Sequence, residues 1–258
     1  MLRFNFINAL AGAGIIALLI NEIEGNPPIS WYLIIFIIWF LITGLGSWFI
    51  RWNYHLKSLH KNNTIRENWV AITFDDGPNP EFTPKVLSLL NQYNAKATFF
   101  CIGENAEAYP NLVKELVANG HVIANHTYSH AGGFGFFSSE RVEEELNKTT
   151  AVLKEISGKE VNLYRPAFGI TNPNIKKALI KTGLQSVGWS KRSFDTTKLS
   201  EERIFKRITG NLQKGDVILL HDTSEKSVAV LERLLLFLSK NEMRSVTIDR
   251  LFEIEAYA

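Results

Sequence analysis

Two adjacent carboxylates, Asp75 and Asp76, stand at the end of the apolar run Trp69 to Phe74 and are followed by Gly77-Pro78. Fifty residues on, His126 and His130 lie four apart in Asn-His-Thr-Tyr-Ser-His, a spacing that one helical turn turns into a single face. One carboxylate plus two imidazoles makes a three-ligand set for a divalent cation, with positions left open for water and substrate. Consecutive side chains diverge, so only one of the two aspartates can reach such a cation. The other is then free to act as general base on a water whose pKa the cation lowers. His221, in Leu-Leu-His-Asp at the end of another apolar run, is placed to give a proton to a leaving group, with a nearby carboxylate fixing its ring. Each piece has a plain alternative: an Asp-Gly-Pro turn, a pair of core histidines, a strand-end cap. Their combination at strand ends is far more specific than any one of them.

The elements that position these groups alternate. Candidate strands are Trp69 to Phe74, Ala97 to Cys101, His121 to Ala124, Asn162 to Tyr164, Leu184 to Trp189, Asp216 to Leu220 and Arg244 to Ile248. Between them the helices have legible ends. Thr83 reads as a cap with Pro84 at the first helical position. Pro110 opens a helix closed by Gly120, Ser139 one closed by Gly158, and Asn172-Pro173 one closed by Gly183. Ser200 opens another that ends near Gly210, and Ser224 to Lys240 is a long amphipathic stretch. Seven strands alternating with helices predict an α/β fold with a parallel sheet, either open or an incomplete barrel, with reactive groups at the carboxyl ends of the strands. The glycine-rich stretch Ala131 to Phe137, directly after the second histidine, reads equally as a flexible loop or as a rim that touches substrate.

Composition narrows the function. The 258 residues carry 28 Lys plus Arg against 26 Asp plus Glu, which offers no case for a nucleic-acid partner. A single cysteine, Cys101, excludes an internal disulfide and any multi-cysteine metal site, and its apolar neighbours make it a buried small hydrophobe. The charge is uneven: residues 1–67 hold five basic and three acidic residues, and residues 68–258 hold 23 of each.

The first part contains Ile29 to Ile50, 22 residues without a charge and long enough for a hydrocarbon core of about 30 Å. Trp31 and Tyr32 flank it at one end, Trp48 and Trp52 at the other. Phe4 to Ile20 reads as a second span in preference to a signal peptide or a helix lying in the interface, since only Arg3 precedes it and no small-x-small cleavage site follows. The expected organisation is a membrane anchor over residues 1–52 with spans near 4–21 and 29–50, a linker over 53–67, and a catalytic domain over 68–258. Arg3 before the first span and Arg51, Lys57, Lys61 and Arg66 after the second place both ends on the cytoplasmic side of a bacterial inner membrane. A cell-wall substrate would require the opposite side. No protein partner is inferred.

Thr-Phe-Asp-Asp-Gly-Pro, His-Thr-x-x-His, Arg-Pro-x-Phe-Gly and Leu-Leu-His-Asp, in this order, resemble the motifs of the polysaccharide deacetylase family, the NodB-homology carbohydrate esterases, over about residues 68–250. The resemblance implies a distorted (β/α) barrel of seven strands. It implies Asp75 as catalytic base and His221 as general acid, and Asp76, His126 and His130 as ligands of one divalent metal, zinc first with cobalt, nickel or manganese accepted. It further implies that Arg165 orients the base and that the Phe168 backbone N–H holds the oxyanion. In the same resemblance Leu219 is the wall that receives the acetyl methyl, and Asp195 supports His221 or Arg165. Trp189 belongs to this supporting, substrate-facing group.

Two departures are mild: Ala167 stands where the family usually has proline, and Phe168 lacks the hydroxyl of the commoner tyrosine. The stretch Trp189 to Thr196 departs further, with Arg192 in place of an acid and Thr196 in place of a groove-lining tryptophan, which bears on substrate preference more than on catalysis. The function implied is removal of the N-acetyl group from amino sugars of a chitooligosaccharide or peptidoglycan type. Two others are weighed beside it: deacetylation or deformylation of a lipid-linked amino sugar at the cytoplasmic membrane face, and non-catalytic sugar binding on a decayed frame. Decay should remove a base or a ligand first, and all are present.

Overall fold

The computed structural model describes residues 3–25 and 27–258, with Glu24 described by its backbone alone. Two apolar helices come first, α1 (Phe4–Glu24) and α2 (Ile29–Trp48), packed on each other. Eight strands follow: β1 (Trp69–Asp75), β2 (Ala97–Cys101), β3 (Val122–Asn125), β4 (Leu163–Tyr164), β5 (Gln185–Ser186), β6 (Lys191–Arg192), β7 (Val217–His221) and β8 (Arg244–Ser245). Every pairing between them is parallel, and the order is β5-β4-β3-β2-β1-β7-β6, with β8 beside the start of β1. This is the expected α/β half-barrel, curled with helices outside and open between β5 and β6.

The expected fifth strand, Leu184 to Trp189, is corrected: only Gln185–Ser186 of it is strand, and after a break at Val187 to Ser190 a separate short strand, Lys191–Arg192, lies beyond its expected end. The seventh expected strand stops at Ser245, because Ile248–Phe252 is a short helix. Thr83 does not cap its helix. Its hydroxyl donates to the Asp222 carboxylate, and the Asn79 side chain instead accepts from the Glu81 and Phe82 N–H groups. The remaining helix ends follow their signals, with Ser138, Asn172, Ser200 and Ser224 capping and left-handed Gly158 and Gly183 closing.

The sheet sorts its side chains by the period of two. Val70, Ile72, Phe74, Phe99, Cys101, Ile218 and Leu220 pack outward against the helices. Ala71, Phe100, Val217 and Leu219 pack inside the curl with Trp189. Asp75 therefore continues the inward row of Ala71 and Thr73, and His221 that of Val217 and Leu219. Cys101 falls on the outer row, fully buried, where burial pushes its thiol pKa up and away from reactivity.

Residues 53–67, expected as a linker, are packed down. Tyr54, His55, Leu56, Ser58 and Ile65 are buried. Leu59 pairs with Val187 along the free edge of β5, and Asn62 N–H donates to Gly215 O at 2.9 Å before β7. The open side of the curl is thus partly covered by the chain that leads into it. The helical pair is fixed to the same segment. Phe4 N–H donates to Tyr54 O (3.1 Å), Thr43 meets the Tyr54 hydroxyl (3.0 Å), and Ser47 meets His55 Nε2 (2.9 Å). Gly46 is where the Tyr54 ring lies, and any Cβ there would overlap it.

Candidate active site

Register brings the predicted groups to one level. Asp75 lies opposite His221 on β7 and Phe100 on β2; Cys101 lies opposite Asn125, and Asn125 opposite Tyr164. The residues that follow those last two, His126 and Arg165, therefore stand over the same end of the sheet.

Arg165 is fully buried, and its charge is met on several sides. It donates to Asp75 Oδ1 at 2.7 Å, to the Thr73 hydroxyl at 2.7 Å, and to the Val187 and Gly188 carbonyls at 3.2 and 2.9 Å. Its guanidinium lies 4.0 Å from the centre of the Phe100 ring. Asp75 is thereby fixed by one oxygen, while Oδ2 faces His126 Nε2 at 3.8 Å.

Asp76 Oδ1 lies 3.4 Å from both His126 Nε2 and His130 Nε2, and the three ligand atoms fit within 4.8 Å of one another. That oxygen is buried without a hydrogen-bond partner, the state of an acceptor waiting for a cation. Burial pushes the Asp76 pKa up, but the surrounding imidazoles, His126 foremost, outweigh it and hold the carboxyl well below its ordinary range. His126 Nδ1 sits 2.9 Å from the Arg165 carbonyl, which can only accept, so Nδ1 carries the proton and Nε2 presents a lone pair. One carboxylate oxygen, two imidazole nitrogens and an orphaned buried acceptor fit a divalent metal.

The route by which the two histidines meet differs from the helical turn read from their spacing. Residues 126–130 form a loop in which Thr127 (φ 67°) and His130 (φ 46°) are left-handed, and the rings come to 5.0 Å between centres. The loop is held from outside: Glu145 accepts from the Tyr128 and Ser129 N–H groups at 2.9 and 2.8 Å, and Asn125 accepts from Thr127 N–H at 2.9 Å. Asp76 (φ 72°) and Phe168 (φ 59°) share the left-handed conformation, so several site residues sit in backbone that side chains normally avoid.

Across the centre, His221 Nε2 lies 3.9 Å from Asp76 Oδ2, and Nδ1 donates to Asp195 Oδ1 at 2.8 Å. Burial pulls the His221 pKa down, but the Asp195 carboxylate outweighs it and holds the imidazole up to about 9. Asp195, fully buried, also accepts from His221 N–H, Ser193 Oγ and Ser227 Oγ at 2.7 to 2.8 Å. Asp195 thus stands against His221, and Arg165 has Asp75 as its acid. Phe168, 41% exposed at the mouth, lays its ring 4.5 Å from that of His130. Trp189 fills the space beside Gly169 (φ 73°), and Leu219 is buried on the inner row next to them.

Sequence reasoning gave no role to Thr73, whose hydroxyl accepts from Arg165 and donates to Ile218 O at 2.7 Å; its signal was a lone hydroxyl on an apolar strand. Nor did it find Glu145, which lies on a helix far from the motifs, or the state of Asp222. Burial raises the Asp222 carboxyl to about 7, and it packs against Gly77, leaving no room there for a Cβ. The glycine-rich stretch is anchored: Phe134 and Phe137 are buried, and Phe136 is almost fully exposed. A cavity of about 620 Å³ lies at the opposite end of the sheet, beside Trp69, Lys96 and Arg244, away from these groups.

Comparison with known proteins leads to the same place. Residues 62–187 match the polysaccharide deacetylase family model. A peptidoglycan-N-acetylglucosamine deacetylase of Bacillus cereus is 38% identical over 188 residues, covering 71% of this chain and 68% of that protein. A chitooligosaccharide deacetylase of Azorhizobium caulinodans is 35% identical over 160 residues, covering 62% and 76%. The crystal structure of the Bc1960 peptidoglycan N-acetylglucosamine deacetylase superposes with a TM-score of 0.70 at 37% identity, covering 75% of this chain and 92% of that one. The deacetylases of this family are metalloenzymes, in keeping with the Asp76, His126 and His130 cluster. The match in sequence, the shared half-barrel and the four motifs meeting at its mouth give one conclusion: the chain belongs to the polysaccharide deacetylase family, hydrolases of the N-acetyl amides of sugars.

Proposed function

We propose that this chain is a membrane-anchored, metal-dependent N-deacetylase of N-acetylglucosamine units in a peptidoglycan- or chitooligosaccharide-type glycan. The observation that carries the reading is the pair of braced groups facing one centre: Asp75 held by Arg165 on one side, and His221 held by Asp195 on the other. Asp76, His126 and His130 would hold the metal, zinc by preference with cobalt, nickel or manganese as substitutes. When bound, that ion would supply Lewis acidity toward water and the amide carbonyl.

The chain's own residues do the rest. Asp75 Oδ2, the oxygen not engaged by Arg165, accepts a proton from the attacking water. The Phe168 backbone N–H donates to the carbonyl oxygen as negative charge builds on it, an interaction strongest in the transition state. His221, protonated at neutral pH, gives its Nε2 proton to the departing nitrogen. The amide C–N bond breaks, and acetate and a free amine leave. Leu219 and Trp189 wall the acetyl methyl away from water. The retention of base, acid and all three ligands speaks against a non-catalytic sugar-binding role.

Residues 1–52 form the anchor, residues 53–67 connect, and residues 68–258 carry the chemistry. Helices α1 and α2 are long and apolar enough to cross a membrane, and nearly all their side chains face outward. The excess of basic residues beside them favours a cytoplasmic catalytic domain, which suits a lipid-linked amino sugar, whereas a cell-wall glycan would require the opposite side. The test is acetate release by the purified full-length protein from chitotriose and from peptidoglycan fragments, before and after chelation, with bound metal measured on the same samples. Full turnover in the chelated, metal-free sample would refute the reading.

A further inference from the structure

The end of α2 does not stop short of the catalytic domain. Thr171 N–H donates to Ser47 O at 3.0 Å, the Ile50 side chain packs on Gly188, and Arg51 reaches the Ser190 carbonyl at 3.4 Å. Between this end and the β6 edge lies a cavity of about 310 Å³, the size of a small-ligand site. Its walls include Trp48, Phe49 and Trp189, and its charged lining is Arg51, Lys191, Arg192 and Arg207, with no acidic residue.

The four cations are not equivalent. Lys191 is spent on the Gly210 and Asn211 carbonyls at 2.8 and 2.7 Å. Arg192 is half-buried between the Trp189 and Phe194 rings, 5.4 and 4.8 Å from their centres, and its guanidinium makes no hydrogen bond or ion pair among the described residues. Arg207 uses one N–H on the Arg192 carbonyl at 2.9 Å, lies over the Phe194 ring at 4.4 Å, and makes no other hydrogen bond among the described residues. A half-buried guanidinium without an anion is costly, and a planar fork matches phosphate oxygens two at a time. The domain as a whole is neutral, so this concentration of charge is local and specific.

The cavity also adjoins the chemistry. Trp189 is a wall of both: one edge of its ring fills the space beside Gly169, whose chain neighbour Phe168 lies on the His130 ring, and the Arg192 guanidinium lies over the Trp189 ring. The other wall, Trp48 and Phe49, is the exposed end of α2, which on the anchored reading proposed above lies at the depth of a lipid headgroup.

We infer that this cavity binds the phosphate of a lipid-borne amino sugar, with Arg51, Arg192 and Arg207 on the phosphate oxygens and the acetamide directed past Trp189 to the Asp76, His126 and His130 centre. The inference rests on the deacetylase reading of that centre. It narrows the substrate class to sugars joined through phosphate to a membrane lipid.

The test compares two substrates on the full-length protein in nanodiscs: N-acetylglucosaminyl diphosphate on a short polyprenol, and uncharged chitotriose. The wild type and the R51Q/R207Q double variant are assayed for acetate release. Loss of charge-assisted hydrogen bonds to phosphate lowers kcat/KM for the lipid substrate by about 10-fold to 100-fold relative to chitotriose, chiefly through KM. A ratio between the two substrates that is unchanged in the variant overturns the phosphate site, whatever the variant does to absolute activity. Binding of the lipid probe to metal-loaded D75N protein separates the two readings. Tight binding that the double variant weakens supports the phosphate site even if no acetate is released from either substrate, an outcome that would sink only the deacetylase reading. Inorganic diphosphate that competes as well as the lipid probe would assign the site to a soluble sugar phosphate and overturn the lipid part.

Discussion

Replacing Asp195 by Asn keeps the size of the side chain and removes its charge from the back of His221. In the native protein Asp195 Oδ1 takes the Nδ1 proton of His221 at 2.8 Å, in a setting where burial alone would drive the imidazole below its ordinary pKa. The carboxylate lifts that pKa to about 9. Asp75 and Asp76 add smaller lifts that remain, so without Asp195 the value falls toward the ordinary 6.5, a change of up to about 2.5 units, or about 3 kcal/mol at 1.36 kcal/mol per unit. His221 is the acid form below its pKa, so the alkaline limb of kcat/KM moves down from near pH 9 toward pH 7. At pH 8.5 the variant then loses up to about 80-fold from protonation alone, and far less at pH 6. The assay is acetate release from chitotriose by the metal-loaded enzyme across pH 5.5 to 10. An alkaline limb that stays in place in Asp195→Asn while the rate falls equally at every pH would refute the role given to the pair. The same linkage touches stability. A histidine whose folded pKa is raised contributes fully below its unfolded pKa of 6.5 and loses that contribution as pH rises through about 9. The wild-type Tm should therefore decline between pH 7 and 10 more steeply than that of Asp195→Asn.

Asp76→Ala should purify with little bound metal, whereas Asp75→Asn should keep stoichiometric metal and lose turnover by about 10²-fold to 10⁴-fold; metal analysis beside the rate assay distinguishes the two aspartates. Chelation of the wild type should lower Tm, and added zinc should restore it, since free metal at about 1,000 times its Kd stabilises the folded state by about 4 kcal/mol. Gly169→Ala places a Cβ in the Trp189 ring at a left-handed position, so it should cost about 1 to 2 kcal/mol for the backbone alone and lower kcat/KM as the tryptophan shifts; scanning calorimetry with kinetics checks both.

How much was readable in advance varies by the range of the force that decides each element. The central strands β1, β2 and β7 are announced by continuous apolar runs, because both their faces are buried and no other element tolerates that pattern at such length. The aspartates and histidines were visible because unlike residues interrupt those runs at their ends. The division of Leu184 to Arg192 into β5 and β6 was not visible. Each piece is two residues long and exists through its partner: β5 through β4 and the Leu59 edge, β6 through β7. Spacing suggested a helix for His126 and His130, but Glu145 and Asn125 take the backbone N–H groups that a helix would have used. Thr83 looked like a cap and is instead the hydrogen-bond donor of the buried Asp222, a partner 139 residues away.

Residues 53–67 give the two halves of the chain no slack. With Tyr54 and His55 seated on the helical pair and Leu59 and Asn62 woven into the sheet edge, the half-barrel turns only when the helical pair turns. On the anchored reading proposed above, such an enzyme samples an area and not a volume. Its turnover would then follow how many acetylated sugars occupy each patch of bilayer surface, at one fixed height, so thinning the substrate within the membrane would change it more than diluting the solution around it.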